Sequence, residues 1–318
     1  MNNMNNIYLK KSNCFQWTNQ KEALDSASQK LLNYQLVKDW VKEYKLEHTQ
    51  TKDFTVDINK QRYRVHLFNS VDDWVVTLRL LPSRVFTFKE LGIASDDVLS
   101  LCKGTGLVLF CGAMGAGKST TMNTVVDSLQ RSGELGTAVT IEDPIEYLYN
   151  QDEITQREVG DYGHVKSFKQ GIIDAVRANS KTIIIGEIRD SDTAHAAVEI
   201  ASSGHRVMAT LHAGSVQQAI ERMWSLLDDQ ADEAFIPSLQ GIVAQHLINI
   251  SSTKKYCLYE ALEIDARVKH LLNQVLDNRA ELVQLKQSQF DQKRLSLKDK
   301  KVQLINDGID GSLLDCIG

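Results

Sequence analysis

The run Gly112-Ala113-Met114-Gly115-Ala116-Gly117-Lys118-Ser119 constrains this chain more than any other stretch. It satisfies the pattern G-x-x-x-x-G-K-[ST] at every fixed position. It follows an unbroken apolar run at 107–111 and opens a stretch with helical spacing at Met122, Val125, Val126 and Leu129. The pattern has a physical cause. Glycines let the backbone wrap tightly enough for its N–H groups to converge on a phosphate, and the start of a helix adds partial positive charge at the same place. A lysine there reaches the outer phosphates of a nucleotide, and a serine hydroxyl can give an oxygen to Mg²⁺. Gly112, Ala113, Met114, Gly115, Ala116, Gly117, Lys118, Ser119 and Thr120 are therefore the expected nucleotide-binding residues, Ser119 the expected Mg²⁺ ligand, and ATP with Mg²⁺ the expected cofactors. Such a loop needs a buried strand that hands over to a helix, which predicts an α/β fold.

Downstream, the strand–turn–helix pattern repeats. Segments 138–141, Thr182–Ile188 and Arg206–Leu211 are continuous apolar strand candidates, and helical spacing recurs near 166–178, 192–203 and 215–227. Apolar strands without alternation, separated by helices, predict a parallel sheet covered on both faces. The first hundred residues read differently. An apolar stripe of Leu24, Leu31, Leu32, Leu36, Val37, Trp40 and Val41 predicts a helix over 21–46. Alternation of Phe54, Val56 and Ile58, and then of Tyr63, Val65 and Leu67, predicts a hairpin, with a third strand at Trp74–Leu80. That alternation puts Arg62 and Arg64 on the polar face of their strand and Arg79 on the polar face of its own. The expected division is a small α+β domain at 1–95, with a linker running from Pro82 to about Lys103, and an α/β domain at 96–318. The last fifty residues, charged and periodic, are expected as peripheral helices.

Composition narrows the classes. The 318 residues allow two domains, and 42% hydrophobic with 24% charged residues is ordinary for a soluble protein. A net charge of −5 argues against a protein that coats nucleic acid. The five cysteines are scattered with no Cys-x-x-Cys pair, which predicts reduced, structural thiols. No apolar run approaches the length of a membrane span, and the polar start lacks the apolar stretch of a signal peptide, so a cytoplasmic location is expected.

Acids and histidines cluster after the candidate strands. Glu187 ends an apolar strand downstream of the glycine-rich loop, where a carboxylate can position the attacking water; Gly186 stands where many such sites have a metal-binding aspartate. Glu142 and Asp143 follow 138–141 and belong to the same edge of a parallel sheet, the edge at which such sheets bind ligands. His205 and His212 bracket Arg206–Leu211. A zinc site is disfavoured: odd spacing within a strand would point the two rings to opposite faces, and no cysteine is near. His212 is expected at the γ-phosphate, and His195 as a packing or surface residue.

The order of glycine-rich loop, VTIEDPIE (139–146), QREVG (156–160), IIIGEIRD (183–190) and GH…ATLHA (204–213) resembles the secretion-ATPase superfamily, the motors of type II secretion, type IV pili and related type IV systems. The short PilT-like and DotB/TraJ-like members are most similar, and the likeness covers roughly residues 50–250. It implies a RecA-like P-loop core, a PAS-like N-terminal domain and a homohexameric ring with ATP between subunits. It implies catalytic roles for Glu142, Glu187, His205 and His212, and an action of Arg64 and Arg79 on a nucleotide across the ring. It also implies inner-membrane platform or secretion-complex partners, peripheral association at the inner face of the inner membrane through them, and no direct nucleic-acid ligand. There are departures. Only Arg177 of the family's two arginines before the Glu187 strand is present, with Ile173 at the other position. The tetracysteine module of the larger assembly ATPases and the AIRNLIRE-like motif of retraction motors are missing from the sequence. A metabolite kinase, an ATP-sensing regulator that does not hydrolyse, and a DNA translocase on the same core are the alternatives.

Overall fold

The structure, a computed structural model, describes residues 6–12, 14–17, 21–24, 28, 32–47, 49–71, 73–160, 163–227, 229–249, 255–275, 300 and 302. The chain divides into two units, one of 1–84 with 144–148, the other of 85–143 with 149–318.

In the second unit the apolar runs become the strands β7 (Gly106–Cys111), β8 (Ala138–Glu142), β10 (Thr182–Ile188) and β11 (Arg206–Leu211), buried along most of their length. Adding β9 (Ile154–Glu158), β12 (Leu239–Asn249) and β13 (Lys255–Glu263) gives a seven-stranded sheet in the order β13-β12-β7-β11-β10-β8-β9. All its neighbours pair in parallel except β12 with β13. One face is covered with Ile172, Ala197, Ile220 and Phe235, the other with Val98, Leu101, Val125 and Leu129; a sheet apolar on both faces needs both layers. This is the expected parallel α/β core.

The helices follow their cap signals. Ser167 caps α5 (Phe168–Arg177), Asp190 caps α6 (Ser191–Ser202) and Ser215 caps α7 (Val216–Leu226), each side chain accepting from a backbone N–H in the first turn. By contrast α4 (Lys118–Arg131), the helix after the glycine-rich loop, begins at Gly117 with no side-chain cap. Two shorter helices, α2 (Phe88–Leu91) and α3 (Ser95–Leu99), lie in the segment expected as a linker. That expectation is corrected: Phe88, Leu91, Ile93, Val98, Leu101 and Cys102 are buried in the second unit's core. Few apolar residues spread over short helices read as loop, yet each fills the core. After α7 come α8 (Asp229–Ser238) and α9 (Ala266–Val275). The rest of the C-terminal stretch expected as helices lies outside the described residues, save 300 and 302.

The first unit is a six-stranded antiparallel sheet in the order β3-β2-β1-β6-β5-β4, packed on α1 (Tyr34–Glu43). Its β4 (Lys52–Ile58), β5 (Gln61–Asn69) and β6 (Trp74–Leu80) are the expected strands. The expected helix over 21–46 is shorter. Lys21–Ala23 is the edge strand β3, paired with β2 (Cys14–Trp17), itself paired with β1 (Asn6–Leu9). Leu24 and Leu32 are buried beside α1, while Leu31 lies outside the described residues.

Among the described residues no helix is long and apolar enough to cross a membrane. Cys14, Cys102, Cys111 and Cys257 are free. Burial pushes the Cys102 and Cys257 thiols up to about 12 and raises that of Cys111 too, so they remain protonated and behave as small apolar groups. Cys316 lies outside the described residues.

Candidate functional site

Because β7, β8, β10 and β11 run parallel, the segments after each strand emerge along one edge. Read from β7 across the sheet, that edge carries the loop from Gly112, then His212, then Glu187 and Arg189, then Glu142 and Asp143.

The loop is shaped for close backbone approach. Gly115 and Gly117 have φ of 78° and 86°, where a side chain is strained. A Cβ on Gly112 would fall 2.6 Å from the Gln245 carbonyl oxygen and 2.8 Å from the Ala116 Cβ. Lys118 is buried, and its ammonium donates to the carbonyls of Gly112 at 3.0 Å and Ala113 at 3.1 Å. A cradle closed to side chains, an uncapped helix start and a cation folded against the loop suit a phosphate chain. Ser119 and Thr120 occupy the first turn of α4. Met114 stands 86% exposed at the tip.

Next along the edge, β10 breaks register with β11 between Ile185 and Ile188, so Gly186 and Glu187 sit in an irregular stretch of the strand. The Gly186 carbonyl accepts from the Thr210 hydroxyl at 2.5 Å. Glu187 is mostly buried and holds two partners: its Oε2 accepts from Arg189 Nε at 2.8 Å and its Oε1 lies 2.9 Å from His212 Nε2. Arg189 also reaches Asp143 at 3.3 Å. Burial works against its charge, but Glu187 and Asp143 outweigh it and raise the guanidinium pKa. His212 shifts the other way. Burial first, then the Lys118 charge, lower its pKa, with Glu187 opposing, so the ring is neutral near pH 7.

Glu142 belongs to a separate chain of hydrogen bonds. Its Oε1 accepts from the Thr140 hydroxyl at 2.6 Å and from Gln156 Nε2 at 3.2 Å; Gln156 Oε1 accepts from the Tyr149 N–H at 2.9 Å, and the Tyr149 hydroxyl donates to Asn123 of α4 at 2.7 Å. Arg157, also on β9, pairs with Asp174 of α5 at 2.7 Å. Ile173, at the arginine position the chain lacks, is exposed.

His205 does not join this site. It precedes the six-residue β11, so it lies at the opposite edge from His212, roughly 20 Å along the strand, where its carbonyl accepts from the Gly106 N–H at 2.9 Å and its Nδ1 contacts the Ser203 hydroxyl at 3.0 Å. His205, expected among the catalytic residues, thus lies away from His212, and opposite ends of the strand, rather than opposite faces, keep the two rings from sharing a metal. His195 stays within α6, its Nδ1 2.7 Å from the Ser191 carbonyl.

Arg64 and Arg79 belong to the first unit. They are direct cross-strand partners between β5 and β6, both on the face away from the buried Tyr63, Val65 and Leu78. Arg64 lies 3.8 Å from Glu146, which groups with this unit.

Sequence reasoning missed Gln245. Its Nε2 donates to the Ala116 carbonyl at 2.7 Å from beneath the loop. No motif includes it, and a glutamine flanked by alanine and histidine carries no signal of burial.

The family model described as "Type II/IV secretion system protein" matches residues 43–305. An uncharacterized protein of Escherichia coli K12, YggR, is 33% identical over 251 residues, 76% of each chain. The type IV pilus retraction ATPase PilT of Pseudomonas aeruginosa is 30% identical over 230 residues, 70% of this chain and 66% of that protein. Among solved structures, the pilus retraction motor PilT with bound ADP superposes with a TM-score of 0.75 at 25% identity, over 96% of this chain and 90% of that one. The ATPase DotB of Legionella pneumophila shares the fold, with a TM-score of 0.71 at 21% identity over 96% of this chain and 92% of its own. With its RecA-like P-loop core and N-terminal α+β domain, the chain belongs to the type II/IV secretion system protein family.

Proposed function

We propose that the protein hydrolyses ATP and works as one subunit of a homohexameric ring that drives a type IV pilus, conjugation or type II/IV secretion machine. The observation that carries the hydrolytic part is the placement of Glu187. It stands on the same edge as the glycine-rich loop, oriented by Arg189 at 2.8 Å and His212 at 2.9 Å. In-line attack by water demands positioning and charge neutralisation more than covalent chemistry. The loop N–H groups and Lys118 would hold the phosphates. Glu187 would orient the water, and the neutral His212, donating from Nε2 to Glu187, would hold that carboxylate in place beside the γ-phosphate. Ser119 would hold Mg²⁺, which when bound would supply further charge neutralisation. Glu142, fixed by Thr140 and Gln156, offers a second carboxylate on this edge. A motor at the cytoplasmic face of such a machine would reach the membrane through a platform or secretion-complex partner.

Two substitutions test the reading. Lys118→Ala should abolish binding of a fluorescent ATP analogue. Glu187→Gln should keep that binding and lower phosphate release at least about a hundredfold, the scale of losing one well-placed group in the transition state. Undiminished phosphate release by the Glu187→Gln protein would transfer the water-orienting role to Glu142.

A further inference from the structure

The hairpin β12–β13 carries none of the sequence motifs, yet it grips both halves of the phosphate site. On β12, Gln245 is 1% exposed; its Nε2 donates to the Ala116 carbonyl at 2.7 Å, and its Oε1 has no partner among the described residues. The same Nε2 would lie 3.2 Å from a Cβ on Gly117. The next residue, His246, points from the other face of β12, and its Nε2 donates to the Gly214 carbonyl at 2.9 Å, two residues beyond His212. On that second face Glu260 of β13, opposite Ala244, accepts from the Val216 N–H at 2.7 Å and so anchors the start of α7. Adjacent residues of one strand thus hold the glycine-rich loop and the loop that follows His212.

Peptide planarity says what the Gln245 bond does. The C=O of Ala116 and the N–H of Gly117 belong to one trans peptide and point in opposite directions. Holding the carbonyl down towards Gln245 turns the Gly117 N–H up, to the side of the loop that would receive a phosphate. A residue needed only to fill this volume would be apolar, since a buried amide oxygen without a partner is costly. What Gln245 supplies, and methionine of similar length could not, is the bond to Ala116.

We infer that the β12–β13 hairpin sets the phosphate site, with Gln245 the positioning residue for the glycine-rich loop and His246 the positioning residue for the loop after His212. The inference rests on the ATPase reading and assigns the two halves of that site separate braces. Gln245 governs nucleotide binding; His246 acts through His212 on turnover.

Full-length variants Gln245→Met, His246→Phe and His246→Gln test it through three readings: titration with a fluorescent ADP analogue, steady-state ATP hydrolysis, and melting temperature without nucleotide. Gln245→Met should weaken ADP binding and raise KM for ATP about tenfold, the net worth of one hydrogen bond, with a smaller effect on kcat and no loss of melting temperature. His246→Phe, a ring without the donor, should lower kcat more than it weakens ADP binding, and His246→Gln, which keeps an N–H donor, should recover part of the loss. The inference is overturned if Gln245→Met binds ADP as tightly as the wild type. It also falls if the two positions give the same kinetic signature, or if every loss merely follows a lowered melting temperature. A wild-type protein that binds ADP but releases no phosphate would remove the ATPase reading, and the ADP titration of Gln245→Met would still decide the role of Gln245.

Discussion

At the scale of single residues, the site works by setting charges against one another along one sheet edge. Glu187 would repel a triphosphate if it stood alone, and Arg189, shared with Asp143, offsets that charge. His212 is the group that responds to pH. Its folded-state pKa is held below the ordinary 6.5, so the fold favours the neutral ring. Protonation then works against folding. The contribution is fully present above 6.5 and is lost as pH falls towards the depressed folded value. The ring is 48% exposed, so the effect on stability is small. Replacing it by His212→Gln, whose amide can still donate to Glu187, should flatten the dependence of melting temperature on pH as pH falls below about 6.5 in the nucleotide-free protein. Identical pH slopes for variant and wild type would show that another group dominates that range.

At the scale of elements, close packing decides what local propensity cannot. Gly171 lies inside α5, where alanine would ordinarily improve the helix by roughly 1 kcal/mol. Here a Cβ would come within 2.8 Å of Ile141 Cγ2 and 2.9 Å of Cγ1, and Ile141 is fully buried in β8, one residue before Glu142. Overpacking of that kind typically costs about 1–3 kcal/mol. Gly171→Ala should therefore unfold at lower urea concentration than the wild type, with an unchanged m-value, while alanine at the exposed Lys169 of the same helix should not. The comparison also shows what could be read in advance. The four strands flanking the site were legible because continuous apolar runs beside a glycine-rich loop admit few other readings. The β12–β13 hairpin was not, because Gln245, His246 and Glu260 interrupt its apolar pattern; their polarity is satisfied by loop backbone far away in sequence. The strands β1 to β3 are three or four residues long, too short for alternation to stand out. His205 was grouped with the catalytic residues for a different reason: a motif groups residues by sequence, whereas a parallel strand carries its two ends to opposite edges.

At the scale of the whole molecule, the question is whether one chain holds a complete site. The edge built by β7, β8, β10 and β11 supplies the loop, the carboxylates and His212, and Arg189, the cation paired with Glu187, is already shared between two acids. Arg64 and Arg79 stand side by side on the first unit's polar face, and the pair formed by Arg64 with Glu146 at 3.8 Å is half-exposed. Exposed ion pairs are worth little, typically 0–1 kcal/mol, so Arg64 can exchange Glu146 for a phosphate at small cost. If the protein forms a ring, these two arginines are candidates to act on a neighbour's nucleotide. An arginine supplied in that way is typically worth about 10³ to 10⁵ in rate, far more than its effect on affinity. A chain carrying Glu187→Gln and a chain carrying Arg64→Ala with Arg79→Ala should each be nearly inactive alone. Mixed, they should recover part of the wild-type phosphate release, because some interfaces then join an intact carboxylate side to an intact arginine side. Specific activity of the wild type should also rise with protein concentration as rings assemble. Mixed rings that demonstrably form and yet release no more phosphate than either parent would confine the site to a single chain, remove Arg79 from it, and leave Arg64 with only its pairing at Glu146.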